Sequence, residues 1–278
     1  MQNPFRVRRF AALATAALMV LGLWASPAHA APNQPGPEPD IIGGTPVPDG
    51  RYPFQSALLN ENAGGSDYDK QFCGGTLIAP RWVLTAAHCV DGASPGALAV
   101  TVGRTVLSST QGERFDVRSI RVHPKFETAS WISHDAALLR IDGTSLIEPI
   151  RVLAIGENGL EAPGTNLTTS GWGTTCFPGG CFPDRLHEVD VPVVGDGPCR
   201  SAYGADLHKP TSVCAGAEGI DSCSGDSGGP LFATEPGGFV QVGIVSWGNG
   251  CALADFPGVY SEVNHNGIRN WIQRVAGV

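Results

Sequence analysis

The sequence predicts an all-β protein that ends in a single helix. The chain is rich in turn-forming residues, with 37 glycines and 22 prolines among 278 residues, as all-β proteins with many short strands are. Several segments alternate with β-branched residues, which is typical of strands. Hydrophobic residues make up 42% and charged residues 16%, so the chain has the composition of a globular protein and not of a disordered one.

The strands can be placed along the chain by these alternating segments. They are expected at residues 52–59, 72–78, 97–106, 115–122, 186–194 and 239–247. Residues 60–70 are polar and predict a loop. Near the end the period changes: Ile268, Trp271, Ile272 and Val275 follow the i, i+3, i+4, i+7 spacing of an amphipathic helix, so a helix over residues 264–275 is expected to pack on the body.

The N-terminus is typical of a secretory signal. A basic start, an apolar run over residues 10–24 and the small-x-small segment at 28–30 predict a signal peptide over residues 1–30. An uncleaved membrane anchor is the alternative, but the run is short and Pro27 follows closely. Residues 31–40 are proline-rich and polar, and predict a linker or a short propeptide before a domain over residues 41–278. The protein is therefore expected to be secreted, with no membrane contact after cleavage.

Charge and cysteine content limit the partners. A net charge of −8 and the lack of a basic tract disfavour nucleic acid. An even number of cysteines in an exported chain predicts disulfides, although the count alone leaves about 105 pairings open. Zinc is the competing interpretation, but Cys-x-x-Cys pairs are absent and no metal or other cofactor is expected. The eight cysteines are Cys73, Cys89, Cys176, Cys181, Cys199, Cys214, Cys223 and Cys251.

The stretch DSCSGDSGGP at residues 221–230 is the strongest indication of function in the chain. It places Ser227 between small residues, where a substrate can approach the hydroxyl closely. A serine hydroxyl is a weak nucleophile and needs a base, a group that orients the base, and donors for an oxyanion. A plain glycine-rich turn is one alternative. An α/β-hydrolase esterase is another, but that fold needs its acid and histidine after the serine, and only His265 follows.

Further segments appear in a fixed order with this stretch. They are IIGG at 41–44, FCGGTLI through TAAHC at 72–89, HDAALLR at 134–140, SGWGT at 170–174 and SWG at 246–248. Together they resemble the trypsin/chymotrypsin family of serine proteases from Ile41 to the C-terminus. The resemblance implies two packed six-stranded antiparallel β-barrels with a C-terminal helix, and an endopeptidase whose cleft lies between the barrels. A non-catalytic binding protein on the same fold is the alternative.

The resemblance implies a role for each catalytic residue. Ser227 would attack the scissile carbonyl, His88 would act as general base, and Asp135 would orient His88. The backbone N–H groups of Gly225 and Ser227 would form the oxyanion hole. Alone, a histidine after an apolar strand is more often structural, as is an acid before one. The order His88, Asp135, Ser227 favours catalysis. His134, beside Asp135, is interpreted as incidental.

The resemblance also implies a substrate pocket. Asp221 would lie at its base beside Ser222. Segment 246–248 would line it and pair with the substrate backbone through Ser246, Trp247 and Gly248, while Gly258 would leave the wall open. A desolvated carboxylate at the base favours a cationic side chain, so cleavage after Arg or Lys is expected.

The resemblance further implies that the protease is activated by chain cleavage. In the family a freed amine, here that of Ile41, folds inward and pairs with the acid before the catalytic serine, here Asp226. A solvated loop acid and an ordinary strand are the plainer alternatives. One departure is clear: Asp40 precedes Ile41, where the family usually carries Lys or Arg. A different processing protease is therefore expected.

The remaining expectations concern bridges, ions and partners. By resemblance Cys73 pairs with Cys89, Cys199 with Cys214, and Cys223 with Cys251. Cys176 and Cys181 enclose four residues with Pro and Gly, which suits a local bridge that stiffens a loop beside the substrate cleft. Arg104 stands where mammalian trypsins carry a calcium ligand, so no calcium is expected there. The expected partners are protein or peptide substrates and protein protease inhibitors. The protein is expected to be a monomer, and the excess of Arg over Lys indicates a bacterial source.

Overall fold

The structure, a computed structural model, describes residues 41–130 and 132–278. The predicted signal peptide and propeptide lie outside the described residues. In chain order the strands are β1 (Thr45–Pro46), β2 (Gln55–Asn60), β3 (Gln71–Ala79), β4 (Trp82–Thr85), β5 (Leu98–Val102), β6 (Glu113–Val122), β7 (Ala137–Ile141), β8 (Arg151–Val152), β9 (Asn166–Gly171), β10 (His187–Val194), β11 (Ser212–Ala215), β12 (Pro230–Glu235), β13 (Gly238–Trp247) and β14 (Gly258–Glu262).

Helices are few. The α-helices are α1 (Asp67–Lys70), α2 (Asp196–Tyr203) and α3 (Asn266–Ala276). Short 3-10 turns occupy Ile41–Gly43, Ala87–Cys89, Pro95–Ala97, Asn158–Glu161, Gly204–Asp206 and Lys209–Thr211. None of the helices in the described part of the chain is long and apolar enough to cross a membrane.

The strands close into two antiparallel barrels of six. The first has the order β2-β3-β4-β7-β6-β5. The second has the order β10-β11-β14-β13-β12-β9 and closes because β9 also pairs with β10. Strand β1 adds to β10, and β8 pairs in parallel with β13. The predicted pair of six-stranded barrels with a C-terminal helix is confirmed.

Apolar side chains fill each barrel and the space between them. Leu58, Leu77, Val100 and Leu139 are buried in the first barrel, and burying each such side chain contributes about 1.5–3 kcal/mol. Aromatic rings join the two barrels through edge-to-face contacts, which aromatic pairs prefer. These rings belong to Tyr52, Phe54, Phe232 and Phe239.

Two predicted boundaries differ from the structure. Strand β5 ends at Val102, before the predicted 106, because Gly103 adopts φ +71° and turns the chain. The loop predicted over residues 60–70 contains α1. The backbone N–H and the hydroxyl of Ser66 both donate to the Asp69 carboxylate, at 2.8 and 2.7 Å, and this stabilises the start of the helical turn.

The C-terminal helix is confirmed as α3. Ile268, Trp271 and Ile272 are buried on its inner face, and Gly277 ends it with φ +83°, a conformation that glycine adopts at low cost. His265 occupies the N-cap position.

Four disulfides join Cys73 to Cys89, Cys176 to Cys181, Cys199 to Cys214 and Cys223 to Cys251. The predicted presence of disulfide bonds is confirmed. The barrels also meet through the backbone: the N–H of Gly74, in β3, donates to the carbonyl of Ser227 at 2.7 Å. That contact brings the loop before β12 against the first barrel, where the turn after β4 also lies.

Candidate active site

His88 and Asp135 are held together by hydrogen bonds. His88 lies in the 3-10 turn after β4, and Asp135 lies two residues before β7, which pairs with β4. The His88 Nδ1–H donates to Asp135 Oδ2 at 2.7 Å, and the backbone N–H of His88 donates to Oδ1 at 2.9 Å. Because Nδ1 carries the proton, Nε2 presents a lone pair to the cleft.

Asp135 is fully enclosed, and its carboxylate is well satisfied. Its side chain is 1% exposed. Besides the two bonds from His88 it accepts the hydroxyl of Ser246 on Oδ2 at 2.6 Å. A buried carboxylate needs such donors to remain charged. From the sequence, Ser246 is expected in the pocket wall only, so this contact with Asp135 is a role that the sequence did not reveal.

The loop that carries Ser227 depends on its glycines. Gly225 and Gly228 have φ of +99° and +82°, which side chains rarely tolerate. A Cβ on Gly228 would lie 2.1 Å from Oγ1 of Thr85. The string GDSGG therefore lets this loop lie close to the first barrel.

Ser227 and His88 lie near the same residue, Cys89, and no hydrogen bond joins them in the described structure. Both approach one sulfur atom: the Nε2 of His88 and the carbonyl oxygen of Ser227 each lie 3.7 Å from Sγ of Cys89. Catalytic hydrogen bonds are often long before a substrate binds. The structure thus brings His88, Asp135 and Ser227 together with the serine–histidine bond still open.

Two backbone N–H groups face no partner beside Ser227. Among the described residues, neither the N–H of Gly225 nor that of Ser227 donates an intramolecular hydrogen bond. The turn is held by other contacts: Asp226 N–H donates to the Cys223 carbonyl at 3.0 Å, and Gln71 Nε2 donates to the Gly225 carbonyl at 3.0 Å. Paired donors of this kind can stabilise an oxyanion.

Asp226 is a fully buried acid whose carboxylate has only backbone donors among the described residues. Its carboxylate accepts the N–H of Gly173 at 2.7 Å and of Cys223 at 2.9 Å. A Cβ on Gly171 would lie 2.1 Å from Oδ1. Burial raises the pKa of Asp226 to about 6. No ion pair reaches it within residues 41–130 and 132–278.

The segment that starts at Ile41 packs against the loop before Asp221. Ile41 is completely buried. The Ile42 carbonyl accepts the N–H of Asp221 at 3.2 Å. Gly43, with φ +76°, approaches the Gly219 carbonyl so closely that a Cβ would lie 2.2 Å from it. Asp40 lies outside the described residues.

A cavity of about 270 Å³ opens beside Ser227. All six residues predicted for the substrate pocket line it, and Phe177, Val245 and Gly250 line it as well. Phe177 belongs to the loop closed by Cys176 and Cys181. The sequence predicts this loop beside the substrate cleft, and Phe177 lines the cavity there. The predicted residues are Asp221, Ser222, Ser246, Trp247, Gly248 and Gly258.

Asp221 gives the cavity its charge. It is 2% exposed; its Oδ2 accepts the N–H of Ala252 at 3.0 Å, while its buried Oδ1 has no hydrogen-bond partner among the described residues. A Cβ on Gly258 would lie 2.6 Å from that oxygen. Burial raises the pKa of Asp221 to about 7. The cavity therefore holds an acceptor that a cationic ligand could satisfy.

Two other places bear on metal binding. The donor atoms of Cys73, His88 and Cys89 lie within 4.8 Å of one another, but the two sulfurs are bonded to each other. Arg104 is buried in the loop after β5. It donates to Asp67 Oδ2 at 2.6 Å, to the Leu107 carbonyl at 3.3 Å and to the Gln111 carbonyl at 2.9 Å. The Arg104 guanidinium therefore binds the side-chain and carbonyl oxygens that converge at this loop.

Comparison with known proteins agrees with this architecture. Residues 41–272 match the Trypsin family. Trypsin-1 of Astacus astacus is 37% identical over 241 residues, covering 84% of this chain and 98% of that protein. Trypsin of Saccharopolyspora erythraea is 39% identical over 225 residues, covering 80% and 93%. Serine protease 56 of Mus musculus is 37% identical over 240 residues, covering 84% of this chain and 38% of that protein.

Proposed function

Because the chain belongs to the trypsin family and is a trypsin-like serine endopeptidase, we propose that Ser227, His88 and Asp135 are its catalytic residues. The hydrogen bond of 2.7 Å between His88 Nδ1 and the buried Asp135 carboxylate carries the proposal. It leaves Nε2 ready to accept a proton in the cleft that Ser227 enters.

The chemistry follows from these positions. Ser227 Oγ attacks the scissile carbonyl while His88 Nε2 takes its proton, and Asp135 stabilises the resulting imidazolium. The N–H groups of Gly225 and Ser227 hold the negative oxygen of the tetrahedral intermediate. His88 then gives the proton to the leaving amine, and an acyl-enzyme remains on Ser227. Water, deprotonated by His88, releases the acid product and restores the serine.

A serine-reactive organophosphonate tests the assignment of the nucleophile. The activated protein is expected to gain one phosphonyl group on Ser227, as found by peptide mass mapping. Ser227→Ala and His88→Ala should each prevent labelling, whereas Ser224→Ala, a matched change in the same loop, should leave it intact. Absence of labelling in folded protein would favour the alternative of a non-catalytic binding protein on this fold.

We propose cleavage after Arg or Lys, with Asp221 as the determinant. The support is the unsatisfied Oδ1 of Asp221 in a cavity that glycines leave open. A bidentate guanidinium or a Lys ammonium would supply the missing donor. Asp221→Ser is expected to lower kcat/KM for Arg peptides by roughly 10⁴-fold, since a charged partner is lost in a buried site. Full Arg selectivity in that variant would refute the pocket assignment.

We propose that freeing the amine of Ile41 activates the enzyme through Asp226. A fully buried carboxylate with two backbone donors and a raised pKa needs a cation, and a freed amine next to the buried Ile41 can provide one. Asp226→Asn, trimmed to Ile41, should fold and stay inactive towards an Arg peptide amide. Full activity in that variant would exclude the switch.

The export route is also a proposal. A signal peptide over residues 1–30 and a propeptide over residues 31–40 would yield a secreted monomer that protein inhibitors and protein substrates can reach. N-terminal sequencing of the protein from the culture medium should find Ile41 as the mature start. Another start would exclude processing after Asp40.

A further inference from the structure

Phe177 lies at the cavity beside Ser227 with much of its ring open to solvent. The residue is 47% exposed, yet it lines the same cavity as Asp221. Covering an exposed aromatic ring with an apolar group of a ligand is favourable, because both apolar surfaces leave water. The ring therefore lies where a substrate side chain that reaches Asp221 can contact it.

A second exposed apolar side chain, that of Leu253, lies near Phe177 at Gly250. A Cβ on Gly250 would lie 3.0 Å from Cδ1 of Leu253 and 3.3 Å from Cε1 of Phe177. Leu253 is 42% exposed, and Gly250 itself lines the cavity. The two side chains therefore give the mouth of the cavity an apolar edge, although its base holds a carboxylate.

The loop that carries Phe177 is anchored at its base. The disulfide between Cys176 and Cys181 closes the loop, and the N–H of Cys181 donates to Oγ1 of Thr174 at 3.1 Å. The N–H of Thr174 in turn donates to the carbonyl of Ser224 at 2.8 Å. These contacts tie the loop to the segment before β12, so Phe177 is held beside the cavity.

The polarity of the cavity matches the two parts of an Arg or Lys side chain. Both side chains carry a charged end on a stem of methylene groups, and they bury the stem along apolar surface. When the charged end lies at the Asp221 carboxylate, the stem crosses the mouth of the cavity. The Phe177 ring offers that stem an apolar surface that is otherwise exposed to water.

We propose that Phe177 is a specificity-determining residue whose ring covers the methylene stem of the Arg or Lys side chain while Asp221 binds the charged end. The inference rests on the proposed cleavage after Arg or Lys, and it adds a requirement for stem length. A cation with a short stem reaches Asp221 without contacting the ring. A cation with a long stem contacts both.

The test measures the binding of two alkylguanidines to Ser227→Ala protein that is trimmed to Ile41 and cannot digest itself. Titrations at pH 8 are followed by NMR. Phe177→Ala should weaken the binding of n-butylguanidine roughly tenfold, which is the loss of contact with about two methylene groups. Methylguanidine should bind equally well with and without the substitution. Phe177→Leu keeps an apolar group at the mouth and should restore the affinity for n-butylguanidine to within about threefold.

Phe182→Ala is the matched control. Phe182 is also 47% exposed and follows the same disulfide-closed loop, but it is not among the residues that line the cavity. Its substitution should leave the affinity for n-butylguanidine unchanged. In the active trimmed enzyme, Phe177→Ala should raise KM for an Arg peptide amide with little change in kcat, because the stem makes the same contact before and in the transition state.

One readout needs no substitution at position 177: in the NMR spectra, the ring protons of Phe177 should shift with n-butylguanidine and not with methylguanidine. Unshifted ring protons, or equal affinity of n-butylguanidine for Phe177→Ala, would overturn the role of Phe177 and leave the Asp221 pocket standing. An equal loss of methylguanidine binding would also overturn it, since the ring would then act on the base of the cavity. Asp221→Ser should abolish the binding of both guanidines, and binding that persists there would contradict the proposed pocket and this inference together.

Discussion

At the scale of single residues, Asp135 holds the site together because three hydrogen bonds converge on its buried carboxylate. Two of them come from His88 and one from Ser246. An amide in its place would keep the shape, but its NH2 group would face donors and force the imidazole into the other tautomer.

Asp135→Asn is therefore expected to lower kcat by roughly 10⁴-fold with little change in KM, which is the loss known for the same substitution in the triad of a related protease. Ser246→Ala, the matched control, removes one of three donors and should lower kcat by roughly tenfold. Steady-state hydrolysis of one Arg peptide amide measures both. Equal effects of the two substitutions would contradict the orienting role of Asp135.

Asp221 predicts a pH dependence of substrate binding. Burial raises its pKa to about 7 in the empty pocket, so it is charged above pH 7 and becomes protonated as the pH falls below 7. Only the charged form pairs with a guanidinium. KM for Arg peptides should therefore rise below pH 7, by up to about tenfold per pH unit.

The control for this prediction is Asp221→Ser, which lacks the titrating group and should show no such rise in KM between pH 5 and 8. Measuring KM separately from kcat keeps the titration of other groups in the site out of the comparison. A KM of the unaltered enzyme that stays flat over this range would show that Asp221 does not titrate near 7.

At the scale of elements, the loop after β5 is held by a side chain and not by an ion. The buried guanidinium of Arg104 joins Asp67 of α1 to the carbonyls of Leu107 and Gln111. Removing a buried charge leaves these oxygens without a donor, which costs stability.

Arg104→Gln is expected to lower the free energy of unfolding by about 3 kcal/mol, as measured by urea denaturation. Arg118→Gln is the matched control, because its ion pair with Asp142 is exposed and 3.8 Å long, so the change should stay within about 0.5 kcal/mol. The Tm of the unaltered protein should not respond to Ca²⁺. A calcium-dependent rise would show that oxygens in this loop still bind the ion.

Elements and motifs differ in how far the sequence predicts them. Strands such as β6 and helix α3 follow from periodicity, because one face is apolar and the other is not. The motif order predicts that His88, Asp135 and Ser227 share one cleft. Contacts between distant segments, such as those of Ser246 with Asp135 and of Arg104 with Asp67, could not be predicted because they depend on tertiary packing. The neighbouring rings of His123, His134, His208 and His265 are the extreme case, because these residues are separated by 11 to 142 positions in the sequence.

At the scale of the whole molecule, the proposed pairing of Asp226 with a freed Ile41 amine would link chain cleavage to stability. In the uncleaved chain burial raises the pKa of Asp226 to about 6, from an ordinary value of 3.8. A raised pKa on an acid means that the folded state loses stability as pH rises from about 4 to 6, by about 3 kcal/mol in total. Pairing with a freed Ile41 amine would remove this loss.

The freed Ile41 amine would add a second pH dependence to the free energy of unfolding, at alkaline pH. Pairing with Asp226 would raise the pKa of the amine above its unfolded value of about 8, so its stabilisation would be complete below pH 8 and would be lost as pH rises through the folded value. Urea unfolding of Ser227→Ala protein from pH 4 to 10 should therefore show the trimmed chain more stable than the uncleaved chain at pH 7, with a decline above pH 8 in the trimmed chain alone. Identical curves would show that no such pair forms.

The central proposal is that the chain is an Arg- or Lys-specific serine endopeptidase that becomes active when Ile41 is freed. Hydrolysis of peptide amides with Arg, Lys, Phe, Glu or Ala before the scissile bond tests this proposal most directly. Each peptide is measured before and after the chain is trimmed to Ile41. We expect turnover of the Arg and Lys peptides only, and only after trimming. Turnover of Phe or Ala peptides would contradict the Asp221 pocket, equal activity before trimming would contradict the switch, and silence of the folded, trimmed protein would contradict the catalytic assignment itself.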